Sequence, residues 1–135
     1  YACLTDTIAA AQEIALAAQQ ANIILPVYID LNVGMNRTGI APEDAWSLVD
    51  FCLQQPSIQL AGLHAYDGHI RNPDLTARKQ ICDAAFARTK ALQKKIQDQY
   101  GITVSIIAGG SPSFLIHAQR ENMVCSPGTF VYWDH

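Results

Sequence analysis

The strongest constraint on this chain is an alternation. Short, nearly unbroken apolar segments take turns with helix-favouring ones along its whole length. "LPVYIDL" (25–31), "IQLAGLHAY" (58–66) and "ITVSIIA" (102–108) are apolar and rich in β-formers, and a short strand is expected near 123–125. Between them, residues 6–21, 42–54 and 74–99 favour helix, with a shorter helix near 113–118. Pro42 suits a first helical turn, Glu43 and Asp44 suit its positive end, and Trp46, Val49 and Leu53 fall on one face. Asp74 is placed to cap the long helix, Ile81, Ala85, Leu92 and Ile96 form its apolar stripe, and Gly101 ends it. Strands this apolar, alternating with helices, signal parallel βα units. The expected fold class is therefore α/β. Two architectures fit: an open doubly wound sheet, or part of a (β/α)8 TIM-type barrel. A full barrel takes about 250 residues, and four strands make half of one. In either form the strands should run parallel.

The 135 residues, half of them hydrophobic, suffice for one domain with a real core. A net charge of −3 argues against nucleic acid, whose phosphates demand clustered Lys and Arg. No apolar run approaches the roughly 20 residues that span a bilayer, and no signal-peptide pattern opens the chain. Cys3, Cys52, Cys82 and Cys125 lack CxxC-type spacing and lie in or beside apolar segments. Buried reduced thiols and a cytoplasmic location are expected. The first residue is Tyr1 rather than Met, so the chain is expected to be a piece of something longer.

Parallel α/β proteins build their sites at the carboxyl ends of the strands. Those ends read "NVGMNRTG", "HAYDGH", "AGGSPS" and "CSPGT". All four combine Gly, small hydroxyls and a few large polar side chains. The strand starts hold nothing comparable, which points to one shared site.

"AGGSPS" and "SPGT" have the composition of anion cradles, with Ser111 and Thr129 as hydroxyl donors beside glycine backbones. Ordinary turns use the same residues. Arg37, between Gly34 and Gly39, offers a fixed cation to an anionic oxygen; a surface arginine would read the same. Tyr66 offers a ring face and a phenol, or core packing. His64, two residues earlier, shares its strand face. His69 lies in the following loop. Asp30 and Asp67 serve either as helpers or as turn formers. No Ser-His-Asp spacing, P-loop, GxGxxG or HExxH occurs, and no paired carboxylates suggest glycosidase chemistry.

"IDLNVGMNRTGI", "GLHAYDGHI", "GGSPSF" and "PGTFVYWD" resemble the D-threonine aldolase and D-serine dehydratase family. These are alanine-racemase-like, fold-type III pyridoxal-phosphate enzymes with a (β/α)8 barrel followed by a β-domain. The resemblance covers almost the whole chain, in order. It implies that Arg37 hydrogen-bonds the phenolic oxygen of pyridoxal 5'-phosphate and that Tyr66 stacks on its ring, the two acting as catalytic and cofactor-binding residues. Gly109, Gly110, Ser111, Gly128 and Thr129 would form the phosphate cradle. Where alanine racemases carry an arginine to the pyridine nitrogen, just before the "PG" turn, this chain has Ser126.

The resemblance also implies what lies outside these residues. The Schiff-base lysine belongs to an earlier strand, and a divalent metal is bound by His with Asp or Cys in the C-terminal domain. No residue of this chain is assigned a metal. Lys79, Lys90, Lys94 and Lys95 all fall in the long helix, on the outer layer of a barrel. The expectation is the second half of a barrel domain, spanning 1–135, whose substrate is a small D-amino acid. In the intact enzyme it would cleave a D-β-hydroxy-α-amino acid to glycine and an aldehyde. D-serine dehydration and racemisation are the alternatives within the family; a non-catalytic fragment that binds a phosphorylated ligand, or an open sheet with no site, are the alternatives outside it. Open strand edges and an uncovered barrel interior predict association, as a homo-oligomer or with the rest of the barrel.

Overall fold

A computed structural model describes residues 1–128. Its elements are β1 (Cys3–Thr5), α1 (Ile8–Gln20), β2 (Leu25–Asp30), α2 (Trp46–Gln54), β3 (Ile58–Ala65), α3 (Leu75–Tyr100), β4 (Ser105–Ala108), α4 (Phe114–His117) and β5 (Val124–Cys125). All neighbouring strands pair in parallel, and the sheet order is the chain order, β1-β2-β3-β4-β5. That is the order of a partial barrel. A doubly wound sheet would reverse direction at a switch point.

The helices cover one face of the sheet. Val27, Ile29, Leu63 and Ile106 point into a core shared with Ala11, Ala15, Leu48, Val49, Phe86 and Ile96. The alternate residues point the other way. Tyr28, Gly62 and Ser105 stand side by side across three strands, and so do Asp30, His64 and Ile107. This second face was expected to be apolar. It is instead largely polar, and the Tyr28 and Ser105 hydroxyls lie 3.3 Å apart on it.

Several boundaries differ from the sequence reading. β1 was not expected, because three residues carry no periodicity to detect. The chain thus has five described strands where four were expected. α1 begins at Ile8 rather than near residue 6, capped by Thr7, which accepts from the Ala10 amide, while the Asp6 carboxylate takes the Gly39 amide at 2.9 Å. α2 begins at Trp46, since residues 42–45 form a turn closed by the Asp44 amide on the Ala41 carbonyl. β4 starts at Ser105, where its pairing with Gly62 begins; just before it, the Val104 carbonyl accepts from the Gln93 side chain.

α3 starts and stops as its signals predict. The Asp74 carboxylate accepts from the Ala77 amide, and Gly101 closes the helix with φ +69°. Its buried stripe includes the expected Leu92 and Ile96 but differs in the first half of the helix. Cys82, Phe86, Thr89, Leu92 and Ile96 face inward, and Ile81 is exposed. All four lysines lie on this helix, pairing with Asp83, Gln93 and Asp98 or, for Lys95, lying over the Trp46 ring. The cysteines divide: Cys52 and Cys82 are buried, whereas Cys3 and Cys125 are half-buried, and all four are free thiols. Among the described residues, no helix is long and apolar enough to cross a membrane.

Candidate functional site

The loop after β2 is shaped by Asn32. Its side-chain oxygen accepts from the amides of Gly34 and Asn36, both at 3.1 Å, and its amide nitrogen donates to Asn36 Oδ1 at 3.0 Å. The loop then doubles back. Ile40 forms a parallel bridge with Leu31, donating its amide to Asp30 and accepting from Asn32. This close return needs Gly39. Its φ is +95°, and a Cβ there would stand 2.6 Å from the Asn32 nitrogen. The two glycines around Arg37 are thus explained: they let the strand end fold back on itself and present the residue between them.

Arg37 is presented to Tyr66. Its guanidinium carbon lies 5.1 Å from the ring centroid, a cation–π contact. Two glycines also border the ring: a Cβ on Gly110 would stand 3.0 Å from Tyr66 Cε2, and one on Gly68 would collide with the ring. Asp30, Asn32, Met35, Arg37, Thr38 and Tyr66 line a small cleft at the carboxyl ends of β2 and β3. Asp30 underpins it. Its carboxylate lies 2.7 Å from His64 Nδ1 and accepts from the Thr38 hydroxyl at 2.9 Å. Burial would raise its pKa, but these hydrogen bonds and the charges of His64 and Arg37 prevail and hold it below the ordinary value. His69 packs on the far side of Gly34, its ring filling the space where a Cβ would go.

The turn after β4 meets the same place from the other side. The Gly109 amide donates to the Ala65 carbonyl at 3.2 Å. The Gly110 amide donates to Asp67 Oδ1 at 2.9 Å and to the Ser113 hydroxyl at 3.0 Å. These two glycines therefore shape the turn, with their N–H groups aimed into the protein. Ser111, next in the turn, is half-buried. The Ser126 hydroxyl approaches the Gly109 carbonyl at 3.4 Å, which brings the "SPG" segment alongside. Gly128 has open space where a Cβ would project. Thr129 lies outside the described residues. Of the expected site residues, Arg37, Tyr66, Gly109, Gly110 and Ser111 come from three strand ends to one region, and Gly128 follows β5 in the chain.

The sequence reading missed a buried polar cluster behind this turn. Asp67 accepts from Gly110 and Ser113 on one oxygen and lies 2.8 Å from His117 Nε2 through the other. Burial opposes its charge, but the bonds from His117, Ser113 and Gly110 outweigh burial and lower its pKa. Asp67, Cys82 and His117 place potential ligand atoms within 4.8 Å of one another. Two ligands sharing a tetrahedral zinc ion would stand roughly 3.3 Å apart, farther than this Asp–His contact. Burial, followed by the neighbouring Asp67, also pushes the Cys82 thiol up to about 11, away from the thiolate a metal needs. The cluster is a satisfied hydrogen-bond network. His117 in "SFLIHA" lies fifty residues from its partner, and no local pattern marks it.

These residues suit pyridoxal phosphate in part. A ring face, a guanidinium beside it and a glycine turn with hydroxyls fit its aromatic ring, its phenolic oxygen and its phosphate. The lysines do not fit, since all four project from α3 in the helix layer.

Comparison with known proteins places the chain in a family. The family model described as alanine racemase, N-terminal domain, matches residues 2–135. A pyridoxal phosphate homeostasis protein of Aquifex aeolicus is 25% identical over 127 residues, covering 92% of this chain and 53% of the relative. An alanine racemase of Chlorobaculum tepidum is 25% identical over 133 residues, covering 98% and 33%. The crystal structure of D-threonine aldolase from Filomicrobium marinum superposes with a TM-score of 0.85 at 26% identity, covering 94% of this chain and 35% of that one. The chain thus spans between a third and about half the length of these proteins. With its parallel partial barrel and its strand-end site, the chain belongs to the alanine racemase N-terminal domain family, within the fold-type III pyridoxal-phosphate superfamily.

Proposed function

We propose that this chain is the ring- and phosphate-binding part of a pyridoxal-phosphate-dependent D-amino-acid enzyme that cleaves D-β-hydroxy-α-amino acids to glycine and an aldehyde. The observation that carries the reading is Arg37 lying over Tyr66, beside Gly110, at the carboxyl ends of parallel strands. The likeness to a D-threonine aldolase supports the choice of reaction.

When bound, pyridoxal phosphate supplies an electron sink for the bond that breaks. This chain's residues bind and aim. Arg37 holds the phenolic oxygen with a charge-assisted hydrogen bond. Tyr66 supports the ring on a face kept clear by Gly68 and Gly110. Asp30 fixes the Arg37 loop through Thr38. Gly109 and Gly110 shape the phosphate turn, and Ser111, Gly128 and Thr129 complete the cradle. Ser126 replaces a cation near the ring nitrogen, so that nitrogen is held without a fixed positive charge. The reading assigns the lysine that carries the cofactor, and the ligands of a divalent metal, to segments outside this chain. A small D-amino acid is the substrate, and a cytoplasmic location accompanies the reduced cysteines.

The test uses the full-length protein in which this segment occurs. Release of glycine and aldehyde from D-threonine, abolished in Arg37→Ala, is expected. Conversion of D-serine to pyruvate, or interconversion of alanine enantiomers without aldehyde release, would replace the aldolase reading with dehydration or racemisation.

A second reading is a non-catalytic module that binds pyridoxal phosphate. It is favoured by the relative named for pyridoxal phosphate homeostasis and by the placement of all four lysines on α3. Tight cofactor binding by the full-length protein with no turnover of any D-amino acid would establish it.

A further inference from the structure

The cluster behind the "AGGSPS" turn joins the ends of β3 and β4 to α4. Asp67 directly follows Tyr66, the residue proposed to support the cofactor ring. Its side chain crosses to the turn after β4 and takes the Gly110 amide and the Ser113 hydroxyl. Its second oxygen meets His117 on α4. Asp67, Ser113 and His117 are all buried.

The network has a direction. Arg120 donates through Nε to His117 Nδ1 at 3.3 Å, while its Nη2 holds Asp83 at 2.6 Å. Arginine only donates, so Nδ1 must accept, and in a neutral ring the proton sits on Nε2, facing Asp67. Asp67 therefore receives three donors, from Gly110, Ser113 and His117. That is the arrangement that makes a buried carboxylate tolerable. The Phe86 ring packs against both His117 and Arg120 and leaves the pair little room to turn.

We propose that Asp67 is a positioning residue for the phosphate of pyridoxal phosphate: held by His117, it fixes the turn at 109–113 at a set distance from Tyr66. This rests on the cofactor reading above. Asp67 does not touch the phosphate. It draws the Gly110 N–H inward, holds the Cβ-free Gly110 against the Tyr66 ring, and so sets where the rest of the turn, including Ser111, stands relative to that ring. One carboxylate couples the ring support to the phosphate turn. Asparagine is nearly the same size but has a single acceptor oxygen. It satisfies either His117 or the Gly110–Ser113 pair and leaves the other set of donors buried without a partner.

The test compares equilibrium binding of pyridoxal phosphate and pyridoxal, by fluorescence titration, to the full-length protein in which this segment occurs, as wild type and as Asp67→Asn, Ser113→Ala and His117→Gln. Inorganic phosphate serves as competitor. The wild type should prefer the phosphorylated ligand, and Asp67→Asn should lose about tenfold of that preference, as expected when buried donors are left unpaired. Pyridoxal binding should change little. His117→Gln, which keeps a donor, should retain more of the preference than Asp67→Asn. If Asp67→Asn does not fold, Ser113→Ala, which removes one of the three donors, is read in its place and should show a smaller loss of the same kind. A variant that folds and keeps the full preference overturns the inference and leaves the cofactor reading standing. A wild type with no preference for the phosphorylated ligand overturns the cofactor reading, and the inference falls with it. Independently of any ligand, the ring nitrogens of His117 should show the Nε2–H form by NMR; the Nδ1–H form would overturn the network.

Discussion

The guanidinium carbon of Arg37 lies 5.1 Å from the ring centroid of Tyr66, although one residue sits in the loop after β2 and the other directly after β3. A planar ligand on that ring face competes with the guanidinium for it and gains a charge-assisted contact at its edge. Arg37→Ala should therefore weaken pyridoxal phosphate binding on the order of tenfold or more. Arg37→Lys should recover only part of the loss, because an ammonium lacks the planar fork. Absorbance titration of both variants checks this, and equal affinity in all three proteins would remove Arg37 from the site.

Gly39 and Gly101 both have positive φ, but only Gly39 is crowded. Gly39→Ala adds a Cβ 2.6 Å from the Asn32 nitrogen to an already unfavourable backbone, and should cost about 2 kcal/mol or more. Gly101→Ala meets nothing within 4 Å and should cost roughly 1 kcal/mol, the conformational penalty alone. Urea unfolding of the two variants separates the contributions.

Asp67 gives the fold an acid limb. Its folded pKa lies below the unfolded value, so its stabilising contribution is complete above about pH 4 and is lost as the pH falls through the folded value. The titratable and charged groups facing it are His117 and Arg120 from α4 and the turn after it, Cys82 from α3, and Cys125 from β5. Unfolding free energies of wild type and Asp67→Asn measured from pH 6 to pH 3 should differ most at pH 6, and the difference should shrink as the pH falls below about 4. A constant difference across the range would contradict the assignment.

The thiols should sort by burial. Burial pushes Cys52 and Cys82 up to about 11, which leaves about one thiolate in a thousand at pH 8. Iodoacetamide on the folded protein should label Cys3 and Cys125 first, and unfolding should release the other two. Peptide mapping of the labelled sites checks the order.

One face of the sheet is covered by helices, while the opposite face presents Tyr28, Asp30, His64 and Ser105. Leu4 and Val124 are half exposed on the edge strands β1 and β5. We expect the chain to associate, as a homo-oligomer or with the remainder of its barrel, because uncovered strand edges pair readily. Sedimentation at high concentration should show species larger than a monomer; a monodisperse monomer would contradict it.

The local signals in the sequence determined the local structure. Apolar strands alternating with helices specified parallel βα units, because strands buried against helices need continuous apolar runs. Asp74 and Gly101 delimited α3, because capping and a left-handed residue act within one turn. The glycines around Arg37 marked a backbone that doubles back. Long-range contacts decided the rest. Which stripe of α3 faces inward was set by packing against the sheet, so Cys82, Phe86 and Thr89 are buried and Ile81 is not. The polarity of the barrel-side face followed from strand register, which places Asp30 beside His64 and Tyr28 beside Ser105. Asp67 read equally as a helper or a turn former until the fold brought Ser113 and His117 to it. A buried charge is stable only when donors from several elements converge on it, and that convergence exists only in three dimensions.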